Sequence, residues 1–144
     1  MTLLQLQGAA RVAAAAHGLD PALVCAVCHH ESANWKQWAI RYEPAFYTVY
    51  IEKMVGLSAT EKTARAFSYG LMQIMGQTAR EFGFAGDFLT ELLDPIQGLE
   101  YGCRKLARCM ERSNGDVRAA LLQYNGGSDK SYPDKVLAHL EAYQ

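Results

Sequence analysis

From Ala22 to Cys28 the chain runs through Ala-Leu-Val-Cys-Ala-Val-Cys without a polar break, and the run then stops at His29-His30-Glu31-Ser32. Asp20-Pro21 stands just ahead of it. An aspartate N-cap followed by proline in the first turn is how a helix begins, so the run is read as a helix. A helix so apolar is anchored in the core, and its last turn carries Glu31 to the place where the helix emerges.

The apolar spacing of the remaining chain is also helical. Residues 3–17 make a first helix, with Gly18 as its C-terminal cap. A further helix spans 43–56 behind Pro44, and Ser58-Ala59-Thr60-Glu61 has the form of a capping box opening a short one. Leu71 to Phe82 is read as helical, with a break near Gly76. Asp94-Pro95 opens the clearest helix, whose residues Ile96, Leu99, Cys103, Leu106 and Met110 form one stripe. Asp116 caps the next helix, which ends at Tyr124-Asn125-Gly126-Gly127, and Pro133 opens the last one. No segment makes a convincing strand; the one place for β-structure is a small hairpin between 32 and 42. The expectation is a mainly α chain with little or no β-structure, forming one domain over residues 1–144. That length is enough to enclose a real core.

Fourteen basic residues face fifteen acidic ones, for a formal net charge of -1. This balance lacks the basic excess that nucleic-acid phosphates demand, so no nucleic-acid partner is expected. The longest apolar stretch near the start, Val12 to Ala16, is far too short to span a bilayer. Met1 leads into Thr2-Leu3-Leu4-Gln5-Leu6-Gln7, which reads as the first helix and not as a signal peptide. Cys25 and Cys28 form a C-x-x-C, but the motif lies inside the apolar helical run and Cys103 lies on another apolar face. Buried thiols are the favoured reading over a zinc or redox site. A disulfide between the two segments is left open by spacing alone. The neighbours His29 and His30 point in different directions on a helix and make a poor metal pair, so no metal is expected. Trp35 and Trp38 either stack on a ligand or pack in the fold.

Three separated segments carry the candidate chemistry: His30-Glu31-Ser32 at the end of the apolar helix, Gly70-Leu71-Met72-Gln73-Ile74-Met75 after a loop, and Gln123-Tyr124-Asn125 at the end of a late helix. In this order and on these elements they resemble the soluble lytic transglycosylase domain, which has a lysozyme-like fold with a cleft between two lobes. The resemblance covers nearly the whole chain, including His17 to Val24 and Asp94 to Leu106. Three departures stand out. Gln123 replaces the usual alanine, Gly76 stands where proline is common, and the stretch from Glu31 to Gly70 is long. That stretch contains Arg41-Tyr42-Glu43-Pro44, which resembles a subset of the family.

The resemblance implies an enzyme that cuts glycan strands of peptidoglycan at the bacterial wall, as a monomer and without a cofactor. It reaches the wall by phage-type release, by specialised secretion, or as a domain trimmed from a longer precursor. Glu31 is the implied catalytic acid. Protonating a glycosidic oxygen needs a carboxyl group still protonated at working pH, and partial burial provides that. The alternatives for Glu31 are an exposed helix-end acid or a salt bridge to Arg41. Most glycosidases need a second carboxylate, whereas in the resembled family the substrate's N-acetyl group assists. Glu31 then takes a proton from the muramyl 6-hydroxyl, leaving a 1,6-anhydro end. Substrate-binding roles are implied for Gln73, Met75 and Tyr124, with Ser32 and Asn125 either binding sugar or bonding backbone. Core packing is the competing role for Met75 and the favoured one for Met72. Glu43, twelve positions past Glu31, is the candidate second carboxylate; its other readings are a helix-start acid beside Pro44 or a partner for Arg41. Two rival functions follow: a hydrolytic lysozyme using Glu31 and Glu43, and an inactive glycan-binding module.

Overall fold

The computed structural model describes residues 1–144. Helix α1 (Leu3–Ala16) starts at a Thr2–Gln5 capping box, and α2 (Pro21–Glu31) starts at Asp20, whose carboxylate accepts the Ala22 N–H at 2.9 Å. Every residue of α2 from Ala22 to Cys28 is buried. Full burial of a Val or Leu side chain contributes about 1.5–3 kcal/mol, so this helix fixes the centre of the body. Helix α1, α8 (Tyr132–Leu137) and a last helical turn (Leu140–Tyr143) pack around it. The long α6 (Pro95–Arg112) lies against α1 and α7 (Val117–Tyr124), and α7 starts at Asp116, which accepts the Ala119 N–H. These helices share one core of 24 buried residues, while a separate cluster of six, centred on Tyr69, Ile74 and Leu92, defines a smaller lobe.

The small lobe differs most from the sequence expectation. Strands β1 (Ile40–Tyr42), β2 (Phe67–Tyr69) and β3 (Ile74–Met75) form an antiparallel sheet in the order β1-β2-β3. There is no hairpin within 32–42: Ile40 pairs with Tyr69 across the intervening chain. Helix α3 (Pro44–Phe46) widens into a π-turn at Tyr47–Ile51 and goes no further, so the helix expected over 43–56 is half that length. Helix α4 (Ala59–Arg65) starts at Ser58, which accepts the Glu61 N–H at 3.1 Å; the Glu61 carboxylate turns to Arg65 and Arg80 and leaves the box open. Leu71–Gln73 is a turn and not helix; α5 (Gly76–Glu81) starts five residues later than expected.

Two glycines permit close packing, one inside the small lobe and one on α6. A Cβ on Gly76 would stand 2.6 Å from the Ala64 carbonyl oxygen, so α4 requires the smallest residue at this position. On α6, a Cβ on Gly102 would stand 2.6 Å from Met72 Sδ, and this gap admits the Leu71–Met72 turn. The inward stripe of α6 is Gly98, Leu99, Gly102, Cys103, Leu106 and Cys109. Ile96, expected on that stripe, is exposed, and Met110 only flanks the core. The architecture is mainly helical and lysozyme-like, as the resemblance implied, with the sheet as its one addition. No helix is long and apolar enough to cross a membrane.

Candidate active site

Glu31 is the last residue of α2. The chain leaves it through a turn in which Ala33, Asn34 and Trp35 all have positive φ, at 50°, 68° and 67°. Non-glycine residues in this region cost about 1 kcal/mol each, and such strain persists only where surrounding bonds dictate it. Here they do. The Asn34 N–H donates to the His29 carbonyl at 2.8 Å, closing the helix end. Ser32 Oγ donates to the Cys28 carbonyl and accepts the Trp35 N–H, and Trp35 Nε1 donates to Tyr143 Oη at 2.7 Å. Ser32 is completely buried. Its hydroxyl is fully engaged in this turn, which is the backbone-bonding role and not a sugar contact. Trp35 is likewise buried, whereas Trp38 is exposed.

The Glu31 carboxyl lies deep enough that burial pushes its pKa from 4.5 up to about 7. Lys105, Arg41 and the Tyr132 hydroxyl oppose the rise, but neither cation forms a salt bridge with it. Arg41 pairs instead with Glu43, Nε to Oε1 at 2.6 Å. A contact ion pair would have driven the pKa down, so what remains is an acid about half protonated near neutral pH. Tyr132 is almost wholly buried, and its hydroxyl interacts with Glu31 strongly enough to affect both groups. It closes no well-formed hydrogen bond to any protein atom. Burial, and then the charge of Glu31, pushes the Tyr132 pKa up, so it remains a neutral donor.

The other motif residues converge on the same region through the backbone. Tyr124, at the end of α7, is buried and donates its hydroxyl to the Met72 carbonyl at 2.6 Å, joining the second and third motifs. Its hydroxyl is thus engaged with backbone, although Glu31 contributes to its raised pKa after burial. Lys105 on α6 donates to the Tyr124 carbonyl at 2.8 Å, with its ammonium 4.2 Å from the centre of the Tyr124 ring. Burial lowers the Lys105 pKa, against the pull of Cys109 and Glu31. Gln73 sits in a left-handed conformation, φ 48°. Its amide donates to the Ala39 and Gly70 carbonyls and accepts from Ser68 Oγ at 2.7 Å. It thus ties the β2–β3 turn to the chain entering β1. Met75 is half-buried on β3 and Met72 is core. Asn125 caps α7 through its backbone. The Glu43 carboxylate pairs with Arg41, and its own N–H donates to the Ala66 carbonyl.

Two residues beside Glu31 were missed by sequence reasoning. Tyr132 stands at the start of α8, and Lys105 is next to Leu106 on α6. No local pattern marks either one: the packing of α8 on α2 brings Tyr132 there, and Lys105 shows itself through the effect of its charge on Glu31. The four cysteines are free and buried, burial raises all four thiols, and no disulfide joins the segments.

A single desolvated carboxyl at a helix end, with nearby cations that do not neutralise it, has the chemistry that general acid work requires. Residues 8–135 match the model of the transglycosylase SLT domain, and the chain belongs to that family. It is 30% identical over 136 residues to a "Transglycosylase" of Enterobacteria phage PRD1, a match that takes in 89% of this chain. The chain spans 40% of that relative's length. No solved structure matches.

Proposed function

We propose that the protein cleaves the β-1,4 bond between N-acetylmuramic acid and N-acetylglucosamine in peptidoglycan, without water, leaving 1,6-anhydromuramyl ends. The observation that carries this reading is Glu31, whose burial places its pKa at about 7. A group with that pKa gives a proton to the leaving oxygen and takes one back with nearly equal ease. In the first half-reaction Glu31 protonates the glycosidic oxygen while the substrate's N-acetyl group attacks the anomeric carbon. In the second, the Glu31 carboxylate removes the proton from the muramyl 6-hydroxyl, whose oxygen closes the anhydro ring. The neutral Tyr132 hydroxyl supports the carboxylate between the two steps. Gln73 acts by fixing the β2–β3 turn, and Met75 and Asn125 contact sugar. The Asn125 amide makes no hydrogen bond within the protein and is free for that contact.

Glu43 is assigned a positioning role. Its pair with Arg41 keeps that cation at a distance from which it tempers Glu31 without ionising it. The hydrolytic alternative needs Glu43 as a free base facing a water, which its guanidinium partner disfavours. Action at the bacterial wall follows from the substrate, with the protein working as a monomeric domain. Loss of turbidity of purified cell walls tests the reading. Wild type clears them and Glu31→Gln does not; walls that stay turbid with wild type at every pH from 5 to 8, a range spanning the Glu31 pKa, would reject it.

A further inference from the structure

The strained turn that follows Glu31 is braced by the last helical turn, Leu140–Tyr143. Trp35 Nε1 donates to Tyr143 Oη at 2.7 Å, and the only other partner of that hydroxyl is His29 Nδ1, also at 2.7 Å. A phenol oxygen that receives an indole proton still has its own proton to give. His29 Nδ1 is the one acceptor within reach, so in this arrangement the ring is neutral and carries its proton on Nε2. Arg11 of α1 holds the same residue from another side, donating to the Tyr143 carbonyl at 2.8 Å. A continuous line of bonds therefore runs from His29 on α2 through Tyr143 to Trp35, and from the Trp35 N–H to Ser32 Oγ beside Glu31.

Two more imidazoles complete the cluster. The His139 ring stacks on His29, with 3.9 Å between centres and 18° between planes. His30 stands 6.3 Å from His139 and meets the Tyr132 ring edge-on at 5.3 Å. The groups facing these rings do little to hold a proton on them. Helix α1 contributes Arg11, and α8 contributes Lys135 and the neutral Tyr132, whose hydroxyl interacts with Glu31. On α2 the nearby thiols of Cys25 and Cys28 are buried and raised, and Glu141 on the last turn is exposed. Asp129 is the one acid that favours charge on His30, and Lys135 already pairs with it at 3.0 Å. Burial first, and then His139 and His30, hold His29 below its ordinary value of 6.5.

We propose that His29 is a positioning residue for the reaction: neutral, it keeps the Tyr143 hydroxyl on Trp35 and so fixes the turn at Glu31, and protonated, it releases that turn. A proton on Nδ1 leaves the buried Tyr143 hydroxyl with no acceptor for its own proton. A further proton on His139 sets two cations face to face in the stack. The effect on turnover rests on the glycan-cleaving reading given above; the link between His29 and Trp35 does not. Acid keeps Glu31 protonated for the first half-reaction, so loss of turnover in acid comes from His29, whereas the basic limit comes from Glu31, at about 7.

Fluorescence and turnover test this together. Trp38→Phe leaves Trp35 as the one tryptophan, so its emission reports the bond to Tyr143. On acidification from about pH 7 to about pH 5, across the ordinary imidazole range, the emission of this protein moves to longer wavelength in one step while its helical circular dichroism stays constant. Adding His29→Asn, which keeps an acceptor near the Nδ1 position but takes up no proton, abolishes the step. Tyr143→Phe, which removes the connecting hydroxyl, abolishes it too and decides the matter alone should His29→Asn not fold. Clearing of cell walls by wild type falls about tenfold per pH unit below the same midpoint, the slope of one essential deprotonation, and neither variant shows that fall. An emission that stays constant, a step that survives in either variant, or a helical signal lost along with it overturns the proposal. So does a fall of turnover in acid that His29→Asn retains. If wild type clears no wall while the step stands and needs His29, the glycan-cleaving reading fails and the link from His29 to Trp35 is upheld.

Discussion

Glu31 in the helical body and Glu61 in the small lobe are both largely withdrawn from water, yet they hold protons in opposite ways. Burial dominates at Glu31 and raises its pKa to about 7. Burial also acts upward on Glu61, but hydrogen bonds from Arg80 and Arg65, at 2.9 and 2.7 Å, outweigh it and hold the carboxyl below its usual range. The two lobes are built to match. The body closes on apolar side chains around α2, leaving Glu31, the one acid of that helix, without an ion-pair partner. The small lobe has only a six-residue apolar cluster and is cross-linked by polar groups: Glu61 with two arginines, and Gln73 with three partners. A carboxyl brought out of water becomes a proton donor where packing supplies the burial, and a structural anion where guanidiniums accompany it.

The largest expected effect comes from removing the acid of the body. Glu31→Gln lowers turnover by about two to four orders of magnitude, the scale of general acid/base catalysis. The same variant sharpens the comparison through stability. Because the folded state raises the Glu31 pKa, its contribution is complete below 4.5 and is lost as pH rises through about 7. Ionising this site therefore costs the wild type on the order of 3 kcal/mol by pH 8. Denaturant unfolding should find Glu31→Gln more stable than wild type at pH 8, by about 2 kcal/mol, and nearly equal to it at pH 5. A variant less stable than wild type at pH 8 would break the contrast.

Glu61→Gln is the counterpart in the small lobe. It leaves Arg65 and Arg80 without their anion and should cost about 2 kcal/mol at pH 7. The sign of its pH dependence is reversed. The Glu61 contribution is present above the usual carboxyl range and is lost as pH falls through its depressed pKa, so the difference from wild type shrinks in acid. Gln73→Ala removes three hydrogen bonds and leaves a β-carbon in a left-handed conformation, for a loss of about 1.5 kcal/mol by thermal or denaturant unfolding. Smallest is Glu43→Gln. Its pair with Arg41 is open to solvent, so stability changes by less than about 1 kcal/mol. Turnover falls only a few-fold under the positioning role. A loss as large as that of Glu31→Gln would make Glu43 a second catalytic carboxylate.

The same division between lobes governs what could be read in advance. In the body, caps and apolar periodicity sufficed: Asp20-Pro21, Asp94-Pro95 and Asp116 each open a helix within a residue of the expected place. Burial of Ala22 to Cys28 followed from composition alone, and with it the environment of Glu31. In the small lobe the strands are two or three residues long, and Ile40-Arg41-Tyr42 is exposed throughout, so no alternation marks it. Its partner β2 lies 27 residues further on, and the pairing depends on contacts such as the Gln73 amide to Ala39 that no window of sequence contains. The motif residues were legible as a set, but their individual bonds were not. Tyr124 bonds the Met72 carbonyl, while Tyr132, which no motif marked, interacts with Glu31.

The central claim is that one carboxyl serves as both acid and base and that no water enters the product. It is tested most directly by digesting purified cell walls in water enriched in heavy oxygen and resolving the released muropeptides by mass spectrometry. The account predicts 1,6-anhydromuramyl ends carrying no heavy oxygen, with their formation abolished in Glu31→Gln. Reducing muramyl ends that carry one heavy oxygen for every bond cut would contradict it and identify a hydrolase.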